Sequence, residues 1–126
     1  MKYLQLFEEF SAAVDLKSVI DEEKGSTVCL VYPPARGVLH QLLKDAGQKK
    51  LLGYFDMGLM NVDSLKTIFH LASMEGTLIL DMLEKCDDDL LNKLANTLSK
   101  SQHKGSVILC SHKAVPALHI FKTVEI

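Results

Sequence analysis

Asp81 is the residue of this chain whose position most directly suggests chemistry. It closes a short run of apolar and β-branched residues, 77–80, which is typical of a strand buried on both faces. A carboxylate in that place can hold Mg²⁺ through water, as in enzymes that hydrolyse nucleotides. It can equally cap the segment that follows. The position of Asp81 therefore leaves a metal-dependent role and a structural role open.

Asp81 can also be considered as the phosphoacceptor of a receiver domain, which has a similar alternation of strands and helices. That chemistry requires an acidic pair after the first strand, because the pair holds Mg²⁺. Tyr32 and Pro33 stand there instead. The receiver alternative is therefore disfavoured.

The histidines and cysteines form no comparable pattern. Cys110, His112 and His119 lack the compact spacing of a metal site. Ser111 and His112 are adjacent on a predicted strand, so their side chains point to opposite faces and do not form a hydrolase pair. We predict no metal site and no catalytic residue here. Cys29 and Cys110 lie in apolar runs, which is typical of reduced core thiols in a cytosolic protein.

The elements that must position these residues follow from the hydrophobic pattern. Strands are predicted at 27–31, 51–55, 77–81, 106–110 and 122–126. Apolar residues at helical spacing predict helices before and between the strands, at 3–20, 38–46 and 116–120. Two further helices are predicted, one capped by Asp63 and ending at 72, the other capped by Asp87 or Asp88 and ending at 98. This alternation predicts βαβ units and a mainly parallel sheet.

In a parallel sheet, ligands bind beyond the carboxyl ends of the strands. Four such ends carry polar or aromatic residues, namely 32–34, Asp56, 81–82 and 111–112. We expect these segments to meet at one edge of the sheet.

Composition narrows the class of protein. The 126 residues are 48% hydrophobic and 24% charged, which fits one globular domain spanning residues 1–126. The net charge of −2 gives no electrostatic footprint for nucleic acid and no polybasic patch for a membrane. No apolar run approaches the roughly 20 residues of a membrane span. We expect a cytoplasmic domain without direct nucleic-acid or membrane binding.

The segment before Asp81 resembles one family. Residues 76–81, Gly-Thr-Leu-Ile-Leu-Asp, resemble the Walker B strand of sigma-54-dependent transcriptional activators, which typically reads GGTLFLDE. Residues 68–72 are similar to the short helix before that strand. Residues 89–94 and 107–112 are similar to the family's helix and sensor strand, and 27–30 to the strand that feeds its phosphate loop. The resemblance implies an AAA+ P-loop NTPase-like fold, a three-layer αβα sandwich with strand order 5-1-4-3-2.

The phosphate loop departs from that family. Such a loop has the pattern GxxxxGK[ST], in which glycines allow close backbone approach, lysine contacts the β- and γ-phosphates, and a hydroxyl contacts Mg²⁺. In the matching register only Gly37 survives, while Tyr32 replaces the first glycine, Val38 the lysine and Leu39 the hydroxyl residue. Prolines at 33 and 34 also remove two N–H donors. We predict that this loop is closed and that the Tyr32 ring fills the vacated space.

Further departures concern catalysis and partners. Met82 stands in place of the carboxylate that polarises the attacking water, and His112 in place of the sensor asparagine. The insertion that contacts sigma factor has no counterpart between Phe55 and Asp63, and we expect no helical lid subdomain. The resemblance therefore implies a degenerate, non-catalytic regulatory domain without a cofactor, acting on a protein partner or as a homo-oligomer.

A remnant nucleotide site at Arg36, Gly37 and Asp81 is the only candidate binding site that the resemblance carries over. Two alternatives to a regulatory function remain open. The first is a weak ATP-binding domain that retains Asp81. The second is a fragment of a larger two-component response regulator.

Overall fold

The centre of the molecule is a parallel sheet. The computed structural model describes residues 27–34, 37–48, 50–100 and 105–125. Its strands are β1 (Thr27–Val31), β2 (Leu51–Asp56), β3 (Thr77–Asp81), β4 (Ser106–Ser111) and β5 (Lys122–Glu125). They lie in the order β2-β3-β4-β1-β5, and every neighbouring pair is parallel. The five-stranded parallel sheet and its predicted strand order are therefore confirmed.

Three α-helices connect these strands within the described part of the chain. They are α1 (Val38–Gly47), α2 (Leu65–Ala72) and α3 (Asp88–Lys100). The segment predicted as a short helix at 116–120 forms a 3₁₀ turn, Pro116–Leu118. The helical pattern at 3–20 lies outside the described residues. None of the described helices is long and apolar enough to cross a membrane.

Helices cover both faces of the sheet because successive strand residues point to opposite sides. Ile79 and Ile108 pack on one face with α1, through its residues Val38, Leu42 and Ala46. The alternate residues of the same strands pack on the other face with α2 and α3, and include Leu78, Leu80, Val107 and Leu109. The fold is thus a three-layer α/β/α sandwich.

The helix caps correct one prediction and decide another. Asp63 does not cap α2, because a 3₁₀ turn, Val62–Ser64, precedes that helix and includes Asp63. The residue before the turn is Asn61, and its Oδ1 accepts a hydrogen bond from the Ser64 N–H at 3.2 Å. At α3 the cap is Asp87, whose Oδ1 accepts from the Leu90 N–H at 2.8 Å. A capping side chain must precede the first turn to reach its unpaired N–H groups.

Two glycines allow the amino ends of β3 and β4 to approach each other. The Ser106 N–H donates to the Gly76 carbonyl at 2.8 Å. A Cβ atom on Gly105 would lie 1.9 Å from that same carbonyl oxygen. Gly76 itself has φ +140°, and a Cβ there would lie 2.7 Å from the Lys50 carbonyl oxygen. The backbones touch where each central strand begins, so only glycine fits.

Replacing Gly105 by alanine tests this contact. We expect Gly105→Ala to lower the free energy of unfolding by about 3 kcal/mol, since the methyl group must displace backbone atoms. Gly47→Ala is the matched control because no atom lies within 4 Å of its added Cβ. It should be neutral or stabilise the protein by up to about 1 kcal/mol. Urea denaturation measures both, and equal midpoints for the two variants would contradict the contact.

Candidate functional site

The carboxyl ends of the strands surround an open cleft of about 530 Å³. All four polar strand ends predicted from the sequence contribute to its wall. The described residues that line it are Tyr32, Pro34, Gly37, Leu39, His40, Tyr54, Asp56, Asp81, Met82 and His112. The cleft is large enough for a small molecule.

Asp81 lies at the base of this cleft and is only 1% exposed. The Tyr32 hydroxyl donates to its carboxylate, 2.9 Å from Oδ1 and 2.8 Å from Oδ2. The Tyr54 hydroxyl donates to Oδ2 at 2.5 Å. The Met82 N–H donates to Oδ1 at 2.8 Å. Both carboxylate oxygens are therefore hydrogen-bonded inside the protein.

Two different strands deliver the phenols to Asp81. Tyr32 follows β1, and its N–H continues the ladder to β4 by donating to the Ser111 carbonyl at 3.0 Å. Because β4 lies between β1 and β3, the Tyr32 side chain must pass over the end of β4 to reach Asp81. Tyr54 lies on β2, beside β3, two residues before Asp56, the register partner of Asp81. The three strand ends are thus joined through one carboxylate.

Met82 turns its backbone toward Asp81. Its φ of 62° and ψ of 35° lie in the left-handed region, which residues other than glycine rarely adopt. This conformation ends β3 and directs the Met82 N–H back to the carboxylate of the preceding residue. Asp81 thus bonds the residue that follows it, whereas the cap position of the next 3₁₀ turn, Leu83–Lys85, is Met82 and has no side-chain cap.

The surroundings keep both phenols protonated. Burial is the largest effect, and the hydrogen bond to Asp81 and its charge add to it. Together they raise the pKa of Tyr32 and of Tyr54 well above the ordinary range of a phenol. Burial likewise raises the pKa of the nearby Cys110 thiol. Both tyrosines therefore remain hydrogen-bond donors at neutral pH.

His112 closes one side of the cleft. Its ring lies edge-on to the Tyr32 ring, with centroids 4.6 Å apart. Its Nδ1 is 3.2 Å from the Tyr32 carbonyl oxygen. Its backbone N–H donates to the two carboxylate oxygens of Glu84, at 3.3 and 3.4 Å. In the family pattern an asparagine would occupy this place, but here the histidine supports Tyr32.

The amino terminus of α1 forms another part of the wall. Gly37 has φ 98° and precedes the helix, and its carbonyl accepts from the Gln41 N–H at 2.8 Å. No side chain caps this helix. Of the three residues predicted as a remnant nucleotide site, Gly37 and Asp81 line the same cleft. Arg36 lies outside the described residues.

The chemistry available to the cleft is limited. Within residues 27–34, 37–48, 50–100 and 105–125, no group of three or more histidine, cysteine, aspartate or glutamate side chains is arranged to hold a metal ion. A Mg²⁺-bound water would need to displace at least one phenol from Asp81. Val38 and Leu39, at the positions of the phosphate-loop lysine and hydroxyl, bring no polar side chain.

The sequence reasoning missed Tyr54 and Glu84. Tyr54 carries a recoverable signal, because it precedes Asp56 by two residues on a strand and so shares its face. Its phenol also lies close enough to Asp81 to bond it, which only the strand order makes evident. Glu84 follows Asp81 in a turn, and nothing in its sequence context indicates a contact with His112.

Comparison with known proteins supports the fold. No family model matches the sequence, and the search of curated proteins found no significant match. Among solved structures, the chain is similar to the crystal structure of a DNA polymerase III gamma subunit-related protein from Thermotoga maritima. The TM-score is 0.65 and the sequence identity 14%, over 90% of this chain and 45% of that one. The chain thus shares the α/β fold of this neighbour and spans less than half of its length.

Removing the Tyr32 hydroxyl tests the hydrogen bonds at Asp81. Tyr32→Phe leaves a buried carboxylate with one donor fewer, so the free energy of unfolding should fall by about 1–3 kcal/mol. Ser99→Ala is the control because its exposed hydroxyl bonds the Asn96 carbonyl of its own helix. Chemical denaturation at neutral pH compares the two. Loss of stability no greater for Tyr32→Phe than for Ser99→Ala would show that the contact is not made.

Alkaline pH should destabilise the protein. The folded-state pKa is raised for both tyrosines and, through burial, to about 12 for Cys29 and about 11 for Cys86. The unfolded chain releases these protons first, so their stabilising contribution is complete below the unfolded pKa values and is lost as pH rises through the folded ones. Urea midpoints should therefore fall from about pH 8 to about pH 10.5.

The variant Tyr32→Phe/Tyr54→Phe isolates the phenols within this dependence. Its midpoint should decline less steeply over the same pH range, because two of the groups with raised pKa, the phenols, are gone. An identical slope in the native protein and the double variant would exclude the phenols as a source of the effect.

Proposed function

We propose that this chain is a non-catalytic AAA+-like domain that acts through protein contacts. The observation that carries the proposal is the occupied carboxylate of Asp81, which accepts hydrogen bonds from Tyr32, Tyr54 and Met82. Phosphoryl transfer depends on Mg²⁺ and on positioned charges that stabilise the transferred group. An aspartate whose carboxylate is hydrogen-bonded by two phenols does not bind the Mg²⁺ that this reaction needs.

The phosphate loop supports the same proposal. A cradle for phosphate needs consecutive N–H groups that converge on the anion at a helix terminus. Pro33 and Pro34 donate no hydrogen bond, and Val38 and Leu39 lack the lysine and hydroxyl of the pattern. Met82 likewise provides no carboxylate to polarise an attacking water. Each part that hydrolysis requires is either replaced or already occupied.

The resemblance to sigma-54-dependent activators supports a role in bacterial transcription control. The partner in this proposal is a protein of the transcription machinery, a signalling regulator or a second copy of the chain, in the cytoplasm. The net charge of −2 supports a protein partner over nucleic acid. The chain covers 45% of the length of its structural neighbour. The proposal therefore includes the alternative that the chain is part of a larger two-component regulator.

A weak nucleotide-binding domain is the second candidate function. Two observations favour it, namely the cleft of about 530 Å³ and the amino terminus of α1, which has no side-chain cap and faces that cleft. Helix amino termini bind anions through unpaired N–H groups. In this candidate, nucleotide binding requires that Tyr32 and Tyr54 release Asp81.

Calorimetric titration with ATP and Mg²⁺ separates the two functions. The proposal predicts no saturable heat for the native protein up to about 1 mM nucleotide, a concentration at which ordinary nucleotide sites are occupied. Asp81→Asn is the matched variant and should give the same flat titration. Saturable, Mg²⁺-dependent binding that Asp81→Asn abolishes would refute the proposal and establish the nucleotide-binding alternative.

A further inference from the structure

We infer that the cleft at the carboxyl ends of the strands binds a positively charged donor group, a guanidinium or an ammonium. The inference rests on the proposed function, because a site for triphosphate would offer hydrogen-bond donors to an anion instead of acceptors to a cation. Several polar groups around the cleft are already paired within the protein, and the others are available to a ligand.

The donors at the base of the cleft are already used. Both phenol O–H groups, of Tyr32 and Tyr54, donate to Asp81. The Met82 N–H donates to the same carboxylate. A ligand that needs donors, such as a phosphate, finds none of these three groups available.

The donors of His112 are used in the same way. Its backbone N–H donates to Glu84. Its Nδ1 faces the Tyr32 carbonyl oxygen at 3.2 Å, and because a carbonyl only accepts, Nδ1 is assigned the proton.

The wall of the cleft offers a ligand mainly hydrogen-bond acceptors. A phenol oxygen that donates its proton still has lone pairs, which applies to Tyr54 at the partly exposed side of the cleft. Asp56 adds a carboxylate, of which Oδ1 accepts from the Gly58 N–H at 3.0 Å. Asp56 and Asp81 are register partners at the ends of neighbouring strands, so the negative charges are close together. Acceptors and negative charge favour a cation that donates hydrogen bonds.

The rings and charges of the lining favour the same ligand class. Tyr32, Tyr54 and His112 all contribute to the wall, and planar cations stack on aromatic faces. The described lining residues include two aspartates, Asp56 and Asp81. A guanidinium satisfies both features, since it is planar, permanently charged and has five N–H donors.

Two features of the wall favour an anion, namely the ring N–H of the lining residue His40 and the amino terminus of α1. The first N–H groups of α1, beside Gly37, have no partner within the helix, and Gly37 provides no side-chain cap. An anion placed there would lie in the same cleft as Asp56 and Asp81. Pro33 and Pro34 have no backbone N–H and so add no donor to that site. An anionic probe therefore belongs in the test.

Amide chemical-shift titration of the whole chain tests the inference with three probes. These are agmatine as a free organic cation, the peptide Gly-Arg-Gly as a basic protein side chain, and pyrophosphate without metal. At least one cationic probe should give saturable shifts at Tyr54, Asp56 and His112. Pyrophosphate should bind about tenfold more weakly, as expected for a charge-assisted contact of the wrong sign. Tighter binding of agmatine identifies a free cation as the ligand, and tighter binding of the peptide a protein side chain.

Asp56→Asn removes the charge but keeps an oxygen that can accept from the Gly58 N–H. It should weaken the cationic probes about tenfold. Asp63→Asn is the matched control, because Asp63 is exposed and does not line the cleft. Its affinities should not change. The amide spectrum of each variant also reports that it is folded.

Three results would overturn the inference: pyrophosphate binding at least as tightly as both cations, equal affinities in Asp56→Asn and the native protein, or no saturable cation binding. A flat titration with ATP and Mg²⁺ alongside any of these would leave the proposed function intact. Binding of ATP with Mg²⁺ would refute the proposed function separately.

Discussion

A carboxylate with 1% of its residue surface exposed must find hydrogen-bond donors inside the protein, and the end of this sheet is organised by how Asp81 finds them. Tyr32 brings one phenol from β1 and Tyr54 brings another from β2. β1 and β3 share no backbone hydrogen bonds because β4 separates them. The side-chain bonds therefore join strands that the ladder alone does not connect.

The same bonds determine what the cleft can bind. In a nucleotide hydrolase, an aspartate at this position faces Mg²⁺ and its waters, and the cation offsets the charge. Here two O–H groups and the Met82 N–H take that place. The charge is stabilised without a ligand, and the donors that could meet phosphate are used for it.

Much of the fold could be predicted from the sequence, because its signals are local. The buried strands are short apolar runs bounded by glycine or polar residues, and β1 and β3 have the predicted bounds. The strand order is not local, and it came from the resemblance around residues 76–81. The cap of α2 was misplaced to Asp63, since nothing in the sequence distinguishes a 3₁₀ turn from the first turn of a helix.

The candidate site was only partly predictable. Asp81, Gly37 and Tyr32 could be assigned to one edge of the sheet, because parallel strands end together. That Tyr54 bonds Asp81 depends on β2 lying beside β3 and on side-chain reach, which no spacing in the sequence encodes.

The most direct measurement is a high-resolution crystal structure of the native protein soaked with a non-hydrolysable ATP analogue and Mg²⁺. We predict that both phenol oxygens lie within hydrogen-bond distance of the Asp81 carboxylate and that the cleft holds no ordered triphosphate. An ordered triphosphate at the amino terminus of α1, with Mg²⁺ near Asp81 and the Tyr32 ring displaced, would contradict it.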